Sequence, residues 1–204
     1  ITKFIFKQSK SAVETSIKSL PTGTYLNTLK LDGFDKPIVL KATLKIKEKS
    51  ISVDLSGSSP AINRGIHCPL SYTIAYASYG IKAAICPDIP NNAASLAAIQ
   101  IKAPPGLIVS AENPSPVTAR HVVGQALPDL VLGCLSKALP GKILAESAGA
   151  LWTISISGAG EKRFNSLNVA LGGMGARPES DGLSTTAFPS GVGAVSIEVA
   201  EAAA

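Results

Sequence analysis

Lys41-Ala42-Thr43-Leu44-Lys45-Ile46-Lys47-Glu48-Lys49-Ser50-Ile51-Ser52-Val53-Asp54-Leu55 is the stretch that decides the fold. Leu44, Ile46, Ile51, Val53 and Leu55 alternate with polar residues on either side of positions 47–50, the pattern of a hairpin or meander with one solvated face. Upstream, Leu29 and Leu31 keep the same period, and Gly33-Phe34-Asp35 supplies a turn. Before them, Ser11 with Glu14 makes a capping-box pattern. Ala12, Val13, Ile17 and Leu20 form a short helical stripe, which Pro21-Thr22-Gly23 ends.

Downstream the period lengthens. Residues 69–86 read as a helix with Leu70, Ile74, Ala77, Ile81 and Ile85 facing inward, Tyr72, Tyr76 and Tyr79 lying along it, and Pro87-Asp88-Ile89-Pro90-Asn91-Asn92 breaking it. Proline-limited strands are expected around 99–101 and 107–109. A second long helix is expected over 121–139, where Val123, Leu127, Leu130, Val131, Cys134, Leu135 and Ala138 recur at helical spacing. Pro128 marks a bend or a first turn, and Pro140-Gly141 the end. Strand-like runs follow near 151–156, 167–170 and 195–199. No repeat or linker divides the chain. The expectation is one α+β domain over 1–204, with a mixed, largely antiparallel sheet and two long packed helices.

The 204 residues are 46% hydrophobic and only 16% charged, and no run approaches the roughly 20 uncharged apolar residues of a membrane helix. That excess of apolar surface fits a subunit clasped by partners, with no membrane role. Net charge is +5, but residues 1–50 carry ten Lys against four acidic residues, while the remainder is close to neutral. A basic face made of Lys alone, without Arg or interleaved aromatics, is a solvated face, and no nucleic-acid partner is expected. Cys68, Cys86 and Cys134 are odd in number and far apart, neither a disulfide framework nor a zinc knuckle, so a reducing, cytoplasmic compartment is the reading. Position 1 is Ile and no leader pattern is present, so the chain reads as a fragment or processed piece.

Three polar islands interrupt this apolar background: Ser56–Pro60 running on to Asn63-Arg64-Gly65-Ile66-His67-Cys68-Pro69; Thr118-Ala119-Arg120-His121; and Gly172-Gly173-Met174-Gly175-Ala176-Arg177-Pro178. Both histidines and three of the four arginines fall inside them. Charge and Gly/Pro backbone beside a core are costly, so a shared polar cleft is one explanation and ordinary loop chemistry the other. The glycine-rich island lacks the Gly-Lys-Ser/Thr ending of a phosphate loop, and Arg177 with Asp181 can be a local turn pair. Neither His67 nor His121 has a partner at metal-ligand spacing, so no metal is expected within this chain; each can instead bond backbone or cap a helix. No G-x-S-x-G occurs, and His67 and Cys68, adjacent on an extended chain, point apart. Arg120 beside His121 at a helix start suits an anionic group, carboxylate or phosphate. The candidate catalytic residues are therefore His121, Arg120 and His67. The candidate substrate contacts are Asn63, Arg64, Gly173, Gly175, Arg177 and Asp181.

The order of these blocks resembles the hydantoinase B/5-oxoprolinase family. Val53-Asp54-Leu55-Ser56-Gly57-Ser58-Ser59-Pro60 and Cys68-Pro69-Leu70 are similar to its "DFSGTSPQ…NCPLA" block. Residues 87–92 resemble "DPDIPNN", Pro104-Pro105-Gly106 to Asn113-Pro114 "APEGSLLNP", positions 131–140 "VLGALAQALP", and Gly172–Asp181 "GGMGARPGKDG". The resemblance runs over roughly residues 15–200. It implies a B-type subunit whose A-type partner, an actin-like ATPase using ATP and Mg, phosphorylates the carbonyl oxygen of a lactam or imide, such as hydantoin or 5-oxoproline. The B part then helps water open the ring. Phosphorylation turns a poor electrophile into a good one, and a closed polar site guides the attack. Relatives in the superfamily carboxylate acetone or acetophenone instead, and a non-catalytic assembly domain of such a complex is a third reading. The family's divalent metal is implied to lie upstream, which makes this chain the C-terminal portion of a hetero-oligomeric enzyme's B-type subunit. Two departures stand out. The family's "GNVETSQR" block is replaced by Arg120-His121-Val122-Val123-Gly124-Gln125, and the usual Asn before Cys-Pro is His67.

Overall fold

The alternation closes into a sheet in the computed structural model, which describes residues 1–149, 151–160, 163–184 and 186. Helix α1 (Thr2–Lys18) is followed by strands β1 (Gly23–Leu31), β2 (Ile38–Lys47) and β3 (Ser50–Asp54). Helices α2 (Leu70–Ile85) and α3 (Ala93–Leu96) then lead to β4 (Ile99–Lys102). Helices α4 (His121–Gly124) and α5 (Ala126–Ala138) precede β5 (Leu151–Ala159) and β6 (Arg163–Leu171). The main sheet has the order β1-β2-β3-β4 and is antiparallel except for the parallel β3–β4 pair. A parallel pair needs a crossover, and α2 with α3 supplies it. The fold is α+β, with α2 packed on α5 and α5 packed on β1 and β2.

The hydrophobic pattern explains this layering. Ile38, Leu40, Ala42, Leu44 and Ile46 of β2 are buried, whereas Lys41, Lys45 and Lys47 face solvent. Ten of the thirteen residues of α5 are buried, so this helix has no solvent face to speak of and serves as the centre of the domain. It packs very closely against α2. A Cβ added to Gly80 would lie 2.8 Å from Pro128 Cα and 2.9 Å from Val131 Cγ2. Helix propensity alone favours Gly→Ala by about 1 kcal/mol, but overpacking against backbone costs about 1–3 kcal/mol. Gly80→Ala is therefore expected to destabilise by about 1 kcal/mol net, read as a lower urea midpoint. A raised midpoint would mean that the two helices separate freely.

Several local readings are corrected. Ser11 is not a helix start: α1 begins at Thr2, and Glu14 pairs with Lys10 at 3.8 Å inside it. In α2, Leu70 and Ile74 are exposed while Thr73 and Lys82 are buried. Thr73 Oγ1 donates to Val109 O at 2.7 Å, which is how a hydroxyl is accommodated there. Residues 107–109 form no strand; Leu107 makes one isolated bridge to Pro60. The expected second helix is two pieces, with Gln125 between them. Pro128 has no N–H to give to Gly124 O, so the ladder lapses where α4 meets α5. β5 and β6 form an antiparallel hairpin longer than expected, and its register places Trp152, Ile154, Ile156 and Phe164 on one face, all exposed. The strand expected near 195–199 lies outside the described residues. Among the described residues no helix is long and apolar enough to cross a membrane.

Candidate functional site

The first island continues the sheet past the end of β3. Ser59 N–H donates to Val39 O at 2.8 Å, and the Ser59 and Ser58 hydroxyls accept from Val39 N–H and Lys41 N–H at 2.9 and 3.0 Å. Asp54 Oδ1 accepts from both the hydroxyl and the N–H of Ser56, at 2.6 and 2.9 Å, and these bonds hold its carboxyl below the usual 3.8. Beyond this turn, Asn63 and Arg64 line a cavity of about 370 Å³ with Phe34, Lys36 and Ser59. The Arg64 guanidinium lies 4.8 Å from the centre of the Phe34 ring, a cation–π contact that fixes it at the rim. His67 is buried beneath, and its Nε2 accepts from Ile62 N–H at 2.9 Å. Its Nδ1 is buried with no partner among the described residues. The histidine thus anchors the backbone that carries Asn63 and Arg64.

The second island is tied to the first. Ala119 N–H donates to Gly65 O at 2.7 Å, and the Cys68 thiol donates to Arg120 O at 3.2 Å. Burial pushes that thiol up to about 12, so Cys68 packs and does not serve as a thiolate nucleophile. Arg120 is exposed and sits 5.5 Å above the Tyr72 ring, which stacks on Tyr76 at 4.4 Å. The helix start at His121 offers fewer free donors than the sequence implied. Arg120 N–H and Val122 N–H are taken by Val117 O and Ala119 O. His121 is half-buried and makes no side-chain hydrogen bond among the described residues.

The third island packs on residues 145–148. Ala145 N–H donates to Ala176 O at 2.8 Å and Ala148 N–H to Gly173 O at 3.1 Å. A Cβ on Gly175 would meet Ala145 O at 2.0 Å, and Gly173 has φ 116°, so both positions need glycine. Arg177 Nε and Nη2 each donate to the main-chain oxygen of Asp181 at 3.2 Å. The local pair is therefore a clamp on backbone, not on the carboxylate. Among the described residues no hydrogen bond joins this island to the other two.

Sequence reasoning missed Asp129. It lies on α5, is 4% exposed, and lines a cavity of about 690 Å³ together with Ser136, Glu146 and Arg177. Its Oδ2 accepts from Ser147 N–H and Oγ at 3.1 and 2.6 Å, while Oδ1 is buried without a partner among the described residues. A lone carboxylate within an apolar helical stripe was the available signal. Burial first, and the Glu146 charge in addition, hold its carboxyl above the usual 3.8 against the opposing Ser147 bonds. The folded state then binds the proton more tightly than the unfolded state. Stability from this group is complete below pH 3.8 and declines as pH rises toward the raised value. Asp129→Asn, which does not titrate, is expected to gain on wild type as pH rises above about 4. Denaturation curves taken across that range read the difference, and a pH-independent difference contradicts the raised carboxyl. Among the described residues no three His, Cys, Asp or Glu side chains group as a metal site.

The Hydantoinase B/oxoprolinase family model matches residues 1–204, so the chain belongs to that family. A protein of Pseudomonas sp. (strain NS671), provisionally assigned as the B-type component of a D-/L-hydantoinase, is 28% identical over 194 residues, covering 88% of this chain and 33% of that one. The 5-oxoprolinase of Dictyostelium discoideum is 29% identical over 163 residues, 79% of this chain and 12% of its own length. In fold, the ATP-dependent caprolactamase of Pseudomonas jessenii is similar with a TM-score of 0.77 at 19% identity, over 88% of this chain and 33% of that one. A nucleotide-free acetone carboxylase is similar at 0.73 and 14%, over 87% of this chain and 27% of that one. The chain thus spans a third or less of each of these relatives.

Proposed function

We propose that this chain is a single domain forming the C-terminal part of the B-type subunit of an ATP-dependent amidohydrolase that opens a cyclic amide or imide. The observation that supports this best is the family match along the whole chain, with relatives named for hydantoin and 5-oxoproline chemistry. A partner A-type ATPase, holding ATP and Mg, phosphorylates the carbonyl oxygen. The divalent metal belongs to the upstream part of the B-type chain. The exposed apolar face of the β5–β6 hairpin suits a subunit held in a hetero-oligomer, and three buried free thiols suit the cytoplasm.

In this reading Arg120, braced on Tyr72, and Arg64, braced on Phe34, face the anionic phosphorylated ring. Asn63 orients the substrate, His121 takes a proton from the attacking water, and His67 positions the Asn63–Arg64 backbone. Gly173, Gly175, Arg177 and Asp181 complete the substrate contacts. A second reading, a ketone carboxylase subunit, draws on the fold shared with acetone carboxylase. The assembly purified with its native partner decides between them. ATP consumption stimulated by hydantoin, 5-oxoproline or caprolactam supports ring opening. Stimulation only by acetone with bicarbonate supports carboxylation and removes the first reading.

A further inference from the structure

The crossover from α2 to β4 has more acceptors than donors. Pro87 and Pro90 bring carbonyls without N–H groups, and among the described residues no backbone N–H donates to Ile89 O or Pro90 O. These carbonyls turn onto the ammonium of Lys82, a residue only 5% exposed. Nζ lies 2.7 Å from Ile89 O, 2.7 Å from Asn91 Oδ1, 3.3 Å from Ser95 Oγ and 3.4 Å from Pro90 O. An ammonium has three N–H groups, so four oxygens around it answer to its charge more than to three bond directions. The Ser95 hydroxyl donates to Asn92 O at 2.9 Å and accepts from Asn92 N–H at 3.0 Å, so toward Lys82 it can only accept.

The oxygens are also held from the side away from the lysine. Asn92 Oδ1 accepts from Ala94 N–H and Ser95 N–H at 3.0 and 2.9 Å, and its Nδ2 donates to Ser9 Oγ of α1 at 2.9 Å. The cage therefore has supports that do not depend on its occupant. None of its four oxygens is a carboxylate. Calcium and magnesium sites draw on carboxylates, whereas neutral carbonyl oxygens suit a single positive charge, as in carbonyl-lined potassium sites. We propose that residues 89–95 form a site for one monovalent cation, ammonium or potassium, and that the Lys82 ammonium occupies it as a tethered ion. The crossover then needs no such ion from solution, whatever reaction the assembly performs. Shortening the side chain uncovers the dependence. Lys82→Met keeps the stem and removes the charged end, leaving a gap of ammonium size among the oxygens. Lys82→Ala leaves room for an ion with a water.

Amide exchange of residues 86–96, read by mass spectrometry in the purified native assembly, tests this. Wild type, Lys82→Met and Lys82→Ala are compared in ammonium, potassium and calcium chloride, each against tetramethylammonium chloride at the same ionic strength. In at least one variant, ammonium or potassium is expected to slow exchange there by about tenfold once the ion reaches about ten times its Kd. Wild type should change by less than about twofold across the salts, its site being filled. Where a variant is unfolded in tetramethylammonium, recovery of the fold in ammonium or potassium is the same supporting result. Exchange in both variants indifferent to ammonium and potassium, an equal response in wild type, or calcium acting as strongly as either ion overturns the proposal. Failure of both variants to fold in every salt overturns it too, since an ion that fits restores the missing contacts.

Discussion

Arg177→Lys in the assembled enzyme is expected to cut turnover by about one to two orders of magnitude, the loss of about 1.4–2.8 kcal/mol of transition-state stabilisation. The guanidinium presents a planar fork, two of whose nitrogens hold Asp181 O at 3.2 Å, and this clamp fixes the side chain of a residue that lines the cavity. An ammonium can reach either the carbonyl or an anion, but not both in fixed geometry. The residue is exposed, so the fold should lose little, within about 1 kcal/mol. If Arg177 only clamps its turn, the melting temperature falls and activity per folded molecule stays whole. Measuring both on one variant separates the roles, and a pure stability loss removes Arg177 from the site.

The largest expected effect on stability lies at Lys82. Its side chain is 5% exposed, and its ammonium donates to Ile89 O and Asn91 Oδ1, both at 2.7 Å, with longer contacts to Ser95 Oγ at 3.3 Å and Pro90 O at 3.4 Å. No carboxylate is in that set, so the charge is compensated by dipoles alone. The polar block 87–92 is thereby pinned to α2, and Asn92, which caps α3, also donates to Ser9 of α1 at 2.9 Å. Lys82→Met keeps the stem's packing and strands two strong acceptors, each worth about 1–3 kcal/mol when left unsatisfied. A destabilisation of about 2–5 kcal/mol is expected, with faster amide exchange concentrated in residues 86–96. A change under about 0.5 kcal/mol, the scale of an ordinary surface substitution, would show that water satisfies the loop without the lysine.

Lys82 also shows where sequence reading stopped. The β2–β3 alternation and the α5 stripe were legible because a two-residue or 3.6-residue period survives when one neighbour, the core, sets burial. α2 is apolar on more than one side, so periodicity alone could not choose its inner face. The structure turns Thr73 and Lys82 inward because the carbonyls of Val109 and Ile89 are there to receive them. The Ser11–Glu14 signal was a sound local pattern overridden by nine further helical residues upstream, where Phe4, Ile5 and Phe6 remain exposed and give no amphipathic cue. At the site, the polar islands stood out by composition, and the hydrogen bonds from Ala119 to Gly65 and from Cys68 to Arg120 bring the first two together. Asp129 was hidden by its apolar neighbours, and its partner Ser147 lies eighteen residues away in sequence, a pairing that only the packing of 145–148 on α5 creates.

ATP-driven opening of a cyclic amide through its carbonyl oxygen is read in the fate of that oxygen. The native assembly is given ATP and the carbonyl-¹⁸O form of whichever of hydantoin, 5-oxoproline and caprolactam drives ATP consumption, and the released phosphate is analysed by mass. Phosphorylation on the carbonyl oxygen, attack of one water at carbon with loss of the ring nitrogen, and attack of a second water at the carbon of the resulting acyl phosphate carry that oxygen away with phosphorus. One ¹⁸O is expected in the inorganic phosphate for each ring opened. Unlabelled phosphate with the label kept in the product carboxylate, or no cyclic amide that drives ATP consumption at all, contradicts it.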